Sequence, residues 1–437
     1  MAEAALDAKR DLYLDWVKGV ACVMMLLLHA VVVIGVPSRH WLWTGQFEFI
    51  HQFYAWFFMA SGMNVARVVQ NEQGKDWRRA SASYLLIALA LFVLGAVYSM
   101  NRRTLWQMEL FQGIAVCTAV SYVILKRRWP DWSLLIIAIL LFGATADWGY
   151  FYYAHLPPGV VDRLAKSTMD PATWRQFAFM AYDKVDLLNY MVIYQYPLWK
   201  RLLFVHFSLL PWVSWFLLGA VLIHWRGTKK EKWLIPLFLA FLAASFYPPW
   251  RVPRLPMDFY FRGKVDFLFR SSAIAGLSLF AANRWYKGAR AIDKKLEFIG
   301  RESFLIFIFQ WYTLDFFGVP LSLMSRSTGA PTWKLFPALQ IMTVLFTYLL
   351  TKWFAGRRDR TIAKPGYLRF WGVYTLVLTV LAGAEYHAAP FVSQVLSYPL
   401  ILGVGMLFPA VRLAIRRAFK PRKPAPATPA AAPAAAT

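Results

Sequence analysis

The sequence predicts an all-α fold, a polytopic integral membrane helical bundle of about 10–12 transmembrane helices, and three observations lead to it. The chain of 437 residues is 59% hydrophobic and 18% aromatic, with a mean hydropathy of +0.43, well above the apolar share of an ordinary soluble domain. Its apolar residues come in runs of about 17–25, the length a helix needs to cross the hydrocarbon of a bilayer. Its basic residues, which give a formal charge of +25, punctuate those runs instead of forming one stripe. They read as topology signals, and nucleic acid is not expected as a partner. Only Cys22 and Cys117 could form a disulfide, and both stand inside apolar runs, so neither a disulfide framework nor a thiolate metal site is indicated. No metal and no bound cofactor is expected.

Taken in order, the runs begin near Trp16, Phe47, Ser81, Leu105, Trp132, Leu202, Trp233, Val265, Phe298, Leu335, Phe370 and Val392. The polar start "MAEAALDAKRDLY" precedes a first run with no small-residue cleavage site after it, so the first span is expected to be retained. The connections "ARVVQNEQGKDWRR", "KRRWPD", "RGTKKEK", "NRWYKGARAIDKK" and "AGRRDRTIAKPGYLR" are rich in Lys and Arg and fall on alternate turns of the chain. By the positive-inside rule they are cytoplasmic, together with both termini. The opposite side also carries Arg102, Arg103, Arg251, Arg254 and Arg262. The expected organisation is a cytoplasmic N-terminus over 1–15, a transmembrane domain over 16–413, and a basic, then Pro/Ala-rich tail over 414–437 that cannot bury a core. Within the domain, the aromatic segment 149–201 is long for a connection and is expected outside the cytoplasm, with Asp170 able to cap a helix that starts at Pro171.

The first run, "LDWVKGVACVMMLLLHAVVV", carries the clearest chemical signal. Asp15, Lys18, Cys22, Met25 and His29 step by three and four and share one helical face. His29 then stands about 16 Å above Lys18 along the axis. Such a face turns toward protein or water, because a charge left against lipid costs about 2.5 to 3.5 kcal/mol on insertion scales. A neutral histidine satisfied by a neighbouring helix is the alternative to a functional one. Elsewhere, Glu48 and His51 share a face and read either as a second acid/base pair or as interfacial anchors. Glu109 and Gln112 share another, where the acid could orient an imidazole or simply bond to a neighbouring helix. Asp266 and Arg270 are spaced to pair with each other. Arg251, Arg254 and Arg262 form an outer basic cluster suited to an anionic glycan or lipid head group, or to ordinary interface contacts.

Several of these stretches carry a resemblance. "RDLYLDWVKGVACVMMLLLH" resembles the first-span signature of the transmembrane acyltransferase superfamily, which includes the family-three membrane acyltransferases and the heparan-alpha-glucosaminide N-acetyltransferase-like proteins. Arg10, Leu14, Asp15, Lys18, Gly19 and His29 follow its order and spacing. "FFMASGMNVA" is similar to the second-span element, with Ser61 and Gly62. "HFSLLPWVSWFLLGAVL" is similar to the Leu-Pro-Trp plus distal Gly element of the heparan-acetyltransferase-like branch, at Leu210, Pro211, Trp212 and Gly219. "FIGRESFLIFIFQ" resembles the late Gly-Arg-x-Ser element, at Gly300, Arg301 and Ser303. The chain departs from the pattern twice. Lys18 stands where arginine is usual, without arginine's bidentate fork, and Gln310 stands where the late element usually ends in histidine.

The resemblance implies an acyltransferase that takes an acyl group, expected to be acetyl, from cytoplasmic acyl-CoA as co-substrate and passes it to an extracytoplasmic or membrane-bound glycan or glycolipid. His29 is then the expected catalytic base, with Glu109 as a second catalytic candidate. Arg10, Asp15, Lys18, Ser61 and Arg301 are expected to bind substrate on one side, and Arg251, Arg254 and Arg262 on the other. Imidazole suits the work because its unperturbed pKa lies near neutrality. The Pro/Ala tail and the lack of accessory regions point to a bacterial inner membrane, with membrane lipid as the surrounding partner. A multi-spanning transporter or lipid flippase with an intramembrane His/Glu/Arg relay is the alternative, and a membrane scaffold is a third class. No inverted repeat is visible to support the transporter.

Overall fold

The computed structural model describes residues 11–34, 54–72, 76–100, 110–154, 209–247, 265–328, 332–364, 366–384 and 390–419. Among these residues the regular structure is helical and no strand occurs. The elements are α1 (Leu12–Ile34), α2 (Tyr54–Asn71), α3 (Trp77–Met100), α4 (Leu110–Lys126), α5 (Asp131–Ala154), α6 (Leu209–Trp225), a 3₁₀ turn (Lys229–Trp233) and α7 (Leu234–Ala244). They continue as α8 (Val265–Trp285), α9 (Ala291–Arg301), α10 (Ser303–Thr328), α11 (Thr332–Thr361), α12 (Tyr367–Ala384) and α13 (Pro390–Ala418). Within α1, α3, α11 and α13, apolar stretches are long enough to cross a membrane by length and composition.

Local chemistry explains the helix ends. The Asp76 carboxylate accepts the backbone N–H groups of Arg78 and Arg79 at the start of α3, two of the donors a helix leaves open there. Gly227, with φ +72°, turns the chain out of α6. The Glu231 carboxylate then accepts the Gly227 N–H at 2.7 Å, and Thr228 caps the 3₁₀ turn. The run expected to begin near Phe298 is divided. α9 is a short helix with charge on one side, and α10 starts anew after Glu302, whose φ of −97° and ψ of 19° leave the helical region. The Gly300–Ser303 stretch is therefore a corner between two helices, which an apolar run read by hydropathy alone does not reveal.

Helix α6 lies at the centre, with every residue from Pro211 to Ile223 buried beneath α2, α4, α5 and α8. Helix α1 packs on α2, α9, α10 and α11. The outer helices keep large apolar side chains exposed: Leu89 and Val93 on α3, Ile341 and Leu349 on α11, Leu376 and Val380 on α12. In water such a surface would drive association. Here it is the face presented to lipid. Small residues let the inner helices touch. A Cβ built on Gly62 of α2 would stand 2.0 Å from the Phe216 carbonyl oxygen, and one on Gly219 of α6 would stand 2.0 Å from that of Met59. Gly19 of α1 and Gly300 of α9 make the same kind of approach, to the Leu296 and Asp15 carbonyl oxygens at 1.9 and 1.7 Å.

One end of the bundle is joined by polar contacts between alternate helix termini. Asp11 pairs with Arg67 at 3.2 Å, linking the start of α1 to the end of α2. Glu72 accepts the Tyr122 hydroxyl at 2.6 Å and pairs with Lys126 at 2.8 Å, linking α2 to α4. Asp131 meets His224 and Trp225, each at 2.8 Å, linking α5 to α6. Arg226 donates to Asn283 at 2.7 Å and lies over the Tyr13 ring. Asp293 takes the Trp16 indole N–H, and the Arg290 guanidinium beside it holds its carboxyl below the usual range. The Lys/Arg-rich connections thus gather at one end, as alternate turns of an up-and-down bundle require.

The α9–α10 corner is fastened by Glu302, buried and bonded by both terminal nitrogens of Arg358 on α11 at 2.7 and 3.0 Å. Burial works to raise the Glu302 carboxyl, but the Arg358 hydrogen bonds outweigh it and hold the group below its ordinary value. Removing one partner of a buried pair strands the other charge. Arg358→Ala is expected to cost on the order of 3 kcal/mol of stability, read as a lowered melting temperature in detergent. The double variant Glu302→Gln/Arg358→Met should recover most of it, and equal melting of single and double variants would show that the pair is not the fastening.

Candidate active site

The site is built where α1, α10 and α11 meet. The stripe expected on α1 is present, and it faces α9 and α10. Near its start, Asp15 is buried and pairs with Lys18 at 2.9 Å. One turn on, Cys22 and Leu26 pack against Ile299 and Ile306. Three residues beyond Leu26, His29 Nδ1 lies 2.8 Å from Gln310 Oε1, and its ring lies beside Trp311 with centroids 5.1 Å apart. Gln310 is fully buried, and its Nε2 has no hydrogen-bond partner. Because α1 and α10 run the same way from the Gly300–Asp15 contact, a residue more than two turns along α10 arrives at His29.

The layer continues into α11. Gln340 Nε2 reaches the Leu27 carbonyl at 3.4 Å, and Thr313 shares a hydrogen bond with Thr347 at 2.7 Å. Thr343, Thr347 and Thr351 are all buried on one face of α11. Buried hydroxyls and amides are costly in an apolar interior unless they have a use or a partner. None of these residues was singled out from the sequence. Their signal was present as the spacing of Gln340, Thr343, Thr347 and Thr351 in "LQIMTVLFTYLLTKW", a polar stripe at helical period along an otherwise apolar span.

The remaining expected site residues divide by position. Arg301 follows Gly300 and so stands at the Asp15 end of α1. It pairs with Glu302 at 3.3 Å and lies over the Phe298 ring. Ser61 lies on α2 between Trp56, whose indole N–H reaches the Val17 carbonyl at 2.9 Å, and Arg67, which pairs with Asp11. Its hydroxyl donates to the Phe57 carbonyl at 3.0 Å, the i−4 back-bond common for serine in helices. Asp15, Lys18, Ser61 and Arg301 thus collect toward one end, and His29 stands apart from them up the same helix. Arg10, Glu109, Arg251, Arg254 and Arg262 lie outside the described residues, as do Glu48, His51 and all of the segment expected over 149–201 except its first residues, 149–154, which end α5. Gln112, expected beside Glu109, is buried on α4 against Gly95 of α3. Arg270 lies over the Phe246 ring, and the side chain of Asp266, its expected partner, is outside the described set.

This arrangement can hold a half-buried imidazole in one orientation between two helices, with a lysine–aspartate pair near the basic end of the same helix. Comparison with known proteins adds one finding. A family model described as heparan-alpha-glucosaminide N-acetyltransferase, catalytic, matches residues 10–243, just over half of the 437-residue chain and the whole of α1 through α6. No curated protein and no solved structure matches the chain. The matched span includes Asp15, Lys18, His29 and Ser61, and it ends before Arg301 and Gln310.

Proposed function

We propose, on the premise that this chain belongs to the heparan-alpha-glucosaminide N-acetyltransferase catalytic family, that it is an integral membrane enzyme moving an acetyl group from cytoplasmic acetyl-CoA to an amino sugar of a glycan or glycolipid on the other side of the membrane. The observation that carries the reading is His29, held by Gln310 at 2.8 Å inside the bundle, above the Asp15–Lys18 pair on one helix. The acceptor nitrogen attacks the thioester carbonyl carbon as His29 takes the proton. The carbon–sulfur bond breaks, and the departing thiolate recovers the proton from the imidazolium. Lys18, a point charge near the basic end, is the group suited to the CoA phosphates. The gathering of Lys/Arg-rich connections at that end supports a cytoplasmic donor side, with both termini on it. A bacterial inner membrane fits the Pro/Ala-rich tail.

The test is thioester consumption by purified protein in detergent, with free thiol as the readout and glucosamine-bearing oligosaccharides as acceptors. Thiol release that rises with acceptor concentration and yields the N-acetylated sugar is expected. A folded protein that releases no thiol from acetyl-CoA or other short acyl-CoA donors, with or without acceptor, would sink the reading in favour of the transporter.

A further inference from the structure

Gln310 occupies the position where the sequence departs from the expected histidine, and it touches the imidazole directly. An amide cannot take over a histidine's proton transfers, so the contact needs another account. The side chain is fully buried, with Oε1 toward His29 Nδ1 and Nε2 without a partner. Its orientation is therefore dictated by His29 alone. A base working through Nε2 carries a proton on Nδ1 both before and after it accepts the acceptor's proton. The observed orientation, with the amide oxygen at Nδ1, serves both states, whereas the flipped amide would set N–H against N–H once the imidazolium forms.

We propose that Gln310 is the positioning residue of the transfer: it accepts the Nδ1–H of His29 and fixes the tautomer with the lone pair on Nε2. The inference rests on the acyl-transfer reading above. In a triad the third member is a carboxylate, which orients the imidazole and also stabilises its cation. Gln310 performs the first task only.

Several charged groups of the helices packed on α1 have partners of their own among the described residues. Arg67 of α2 pairs with Asp11, Asp293 of α9 with Arg290, and Arg358 of α11 with Glu302, while Arg270 of α8 lies over Phe246. On α10, Arg301 pairs with Glu302, and Asp315 accepts the Tyr398 hydroxyl of α13. On α1 itself, Lys18 pairs with Asp15 more than two turns below. A carboxylate introduced at Gln310 would stand at hydrogen-bond distance from His29 Nδ1.

The experiment measures kcat and KM for acetyl-CoA between pH 5 and 9 in wild type, Gln310→Met, Gln310→Glu and, in parallel, His29→Ala. Gln310→Met, similar in shape but unable to accept the bond, is expected to lower kcat about 10- to 100-fold with KM changed less than about two-fold. Gln310→Glu is expected to restore much of kcat above the Met variant. Its acid limb should move to higher pH by about one unit, because a carboxylate favours the protonated imidazole. A Gln310→Met enzyme with wild-type kcat, or a Gln310→Glu profile that overlays the wild type, would overturn the proposal. If the Met variant is recovered poorly, the pH profile of the Glu variant decides. Loss of turnover in His29→Ala with no effect at position 310 refutes the positioning role alone; retained turnover in His29→Ala refutes the acyl-transfer reading of His29 itself.

Discussion

His29→Ala is expected to abolish acetyl transfer, with thiol release falling by about 10²- to 10⁴-fold, the usual contribution of a positioned general base. The protein should remain folded. His29 is only partly buried, and its described side-chain contacts are with Gln310 and Trp311, so truncation leaves one glutamine oxygen unpartnered, at about 1 to 3 kcal/mol. His29→Gln separates the two effects, because it can still bond to Gln310 while offering no base. Both variants should elute like the wild type from a sizing column in detergent and differ only in turnover. Near-normal thiol release from either would remove His29 from the chemistry and leave it as a polar contact between α1 and α10.

The α1 half of this site was legible because helical periodicity puts Asp15, Lys18, Cys22 and His29 on one face whatever surrounds them. The partner was not legible. Gln310 is 281 positions away from His29 in sequence, and what joins them is the Gly300–Asp15 contact, which sets the end of α9, and with it the start of α10, against the start of α1. A close approach between two helices leaves no mark on hydropathy. The α9–α10 corner was hidden for another reason: Gly300, Arg301 and Glu302 interrupt the apolar run only briefly, and a short polar interruption does not by itself separate a helix that continues from one that starts anew. The bundle class, in contrast, followed from composition and from where the basic residues fall. The α11 stripe lay between these cases: its spacing was readable, but a threonine in an apolar helix can bond to its own backbone, and only packing tells which ones do not. Thr343 and Thr351 keep their hydroxyls buried without a partner.

The four glycines that mark the resemblance are expected to fail as alanines for a reason that has nothing to do with substrate. At Gly62 and Gly219 the new methyl would meet backbone oxygens of Phe216 and Met59 at 2.0 Å, and at Gly19 and Gly300 those of Leu296 and Asp15 at 1.9 and 1.7 Å. A carbonyl oxygen on a packed helix cannot rotate away as a flexible side chain can, so the helices must part. Overpacking of this kind typically costs about 1–3 kcal/mol, occasionally more, and backbone-to-backbone contact places these sites at the upper end. Gly143→Ala and Gly372→Ala are the controls, because nothing lies within 4 Å of a Cβ at either position. There the gain in helix propensity, up to about 1 kcal/mol in an exposed helix interior, acts alone. The two helix pairs should also differ in what they take with them. Gly62→Ala or Gly219→Ala separates α2 from α6 in the centre of the bundle and should lower the melting temperature most. Gly300→Ala shifts α9 against α1 next to the Asp15–Lys18 pair and the start of α10, and so should raise KM for acetyl-CoA and lower kcat through the His29–Gln310 register even in the fraction that folds. Thermal melting in detergent, followed by kinetics on the folded fraction, reads both effects. Wild-type melting of Gly62→Ala and Gly219→Ala would refute the close packing, and a Gly300→Ala enzyme that melts early but turns over with wild-type kcat and KM would refute the coupling of that contact to the active site.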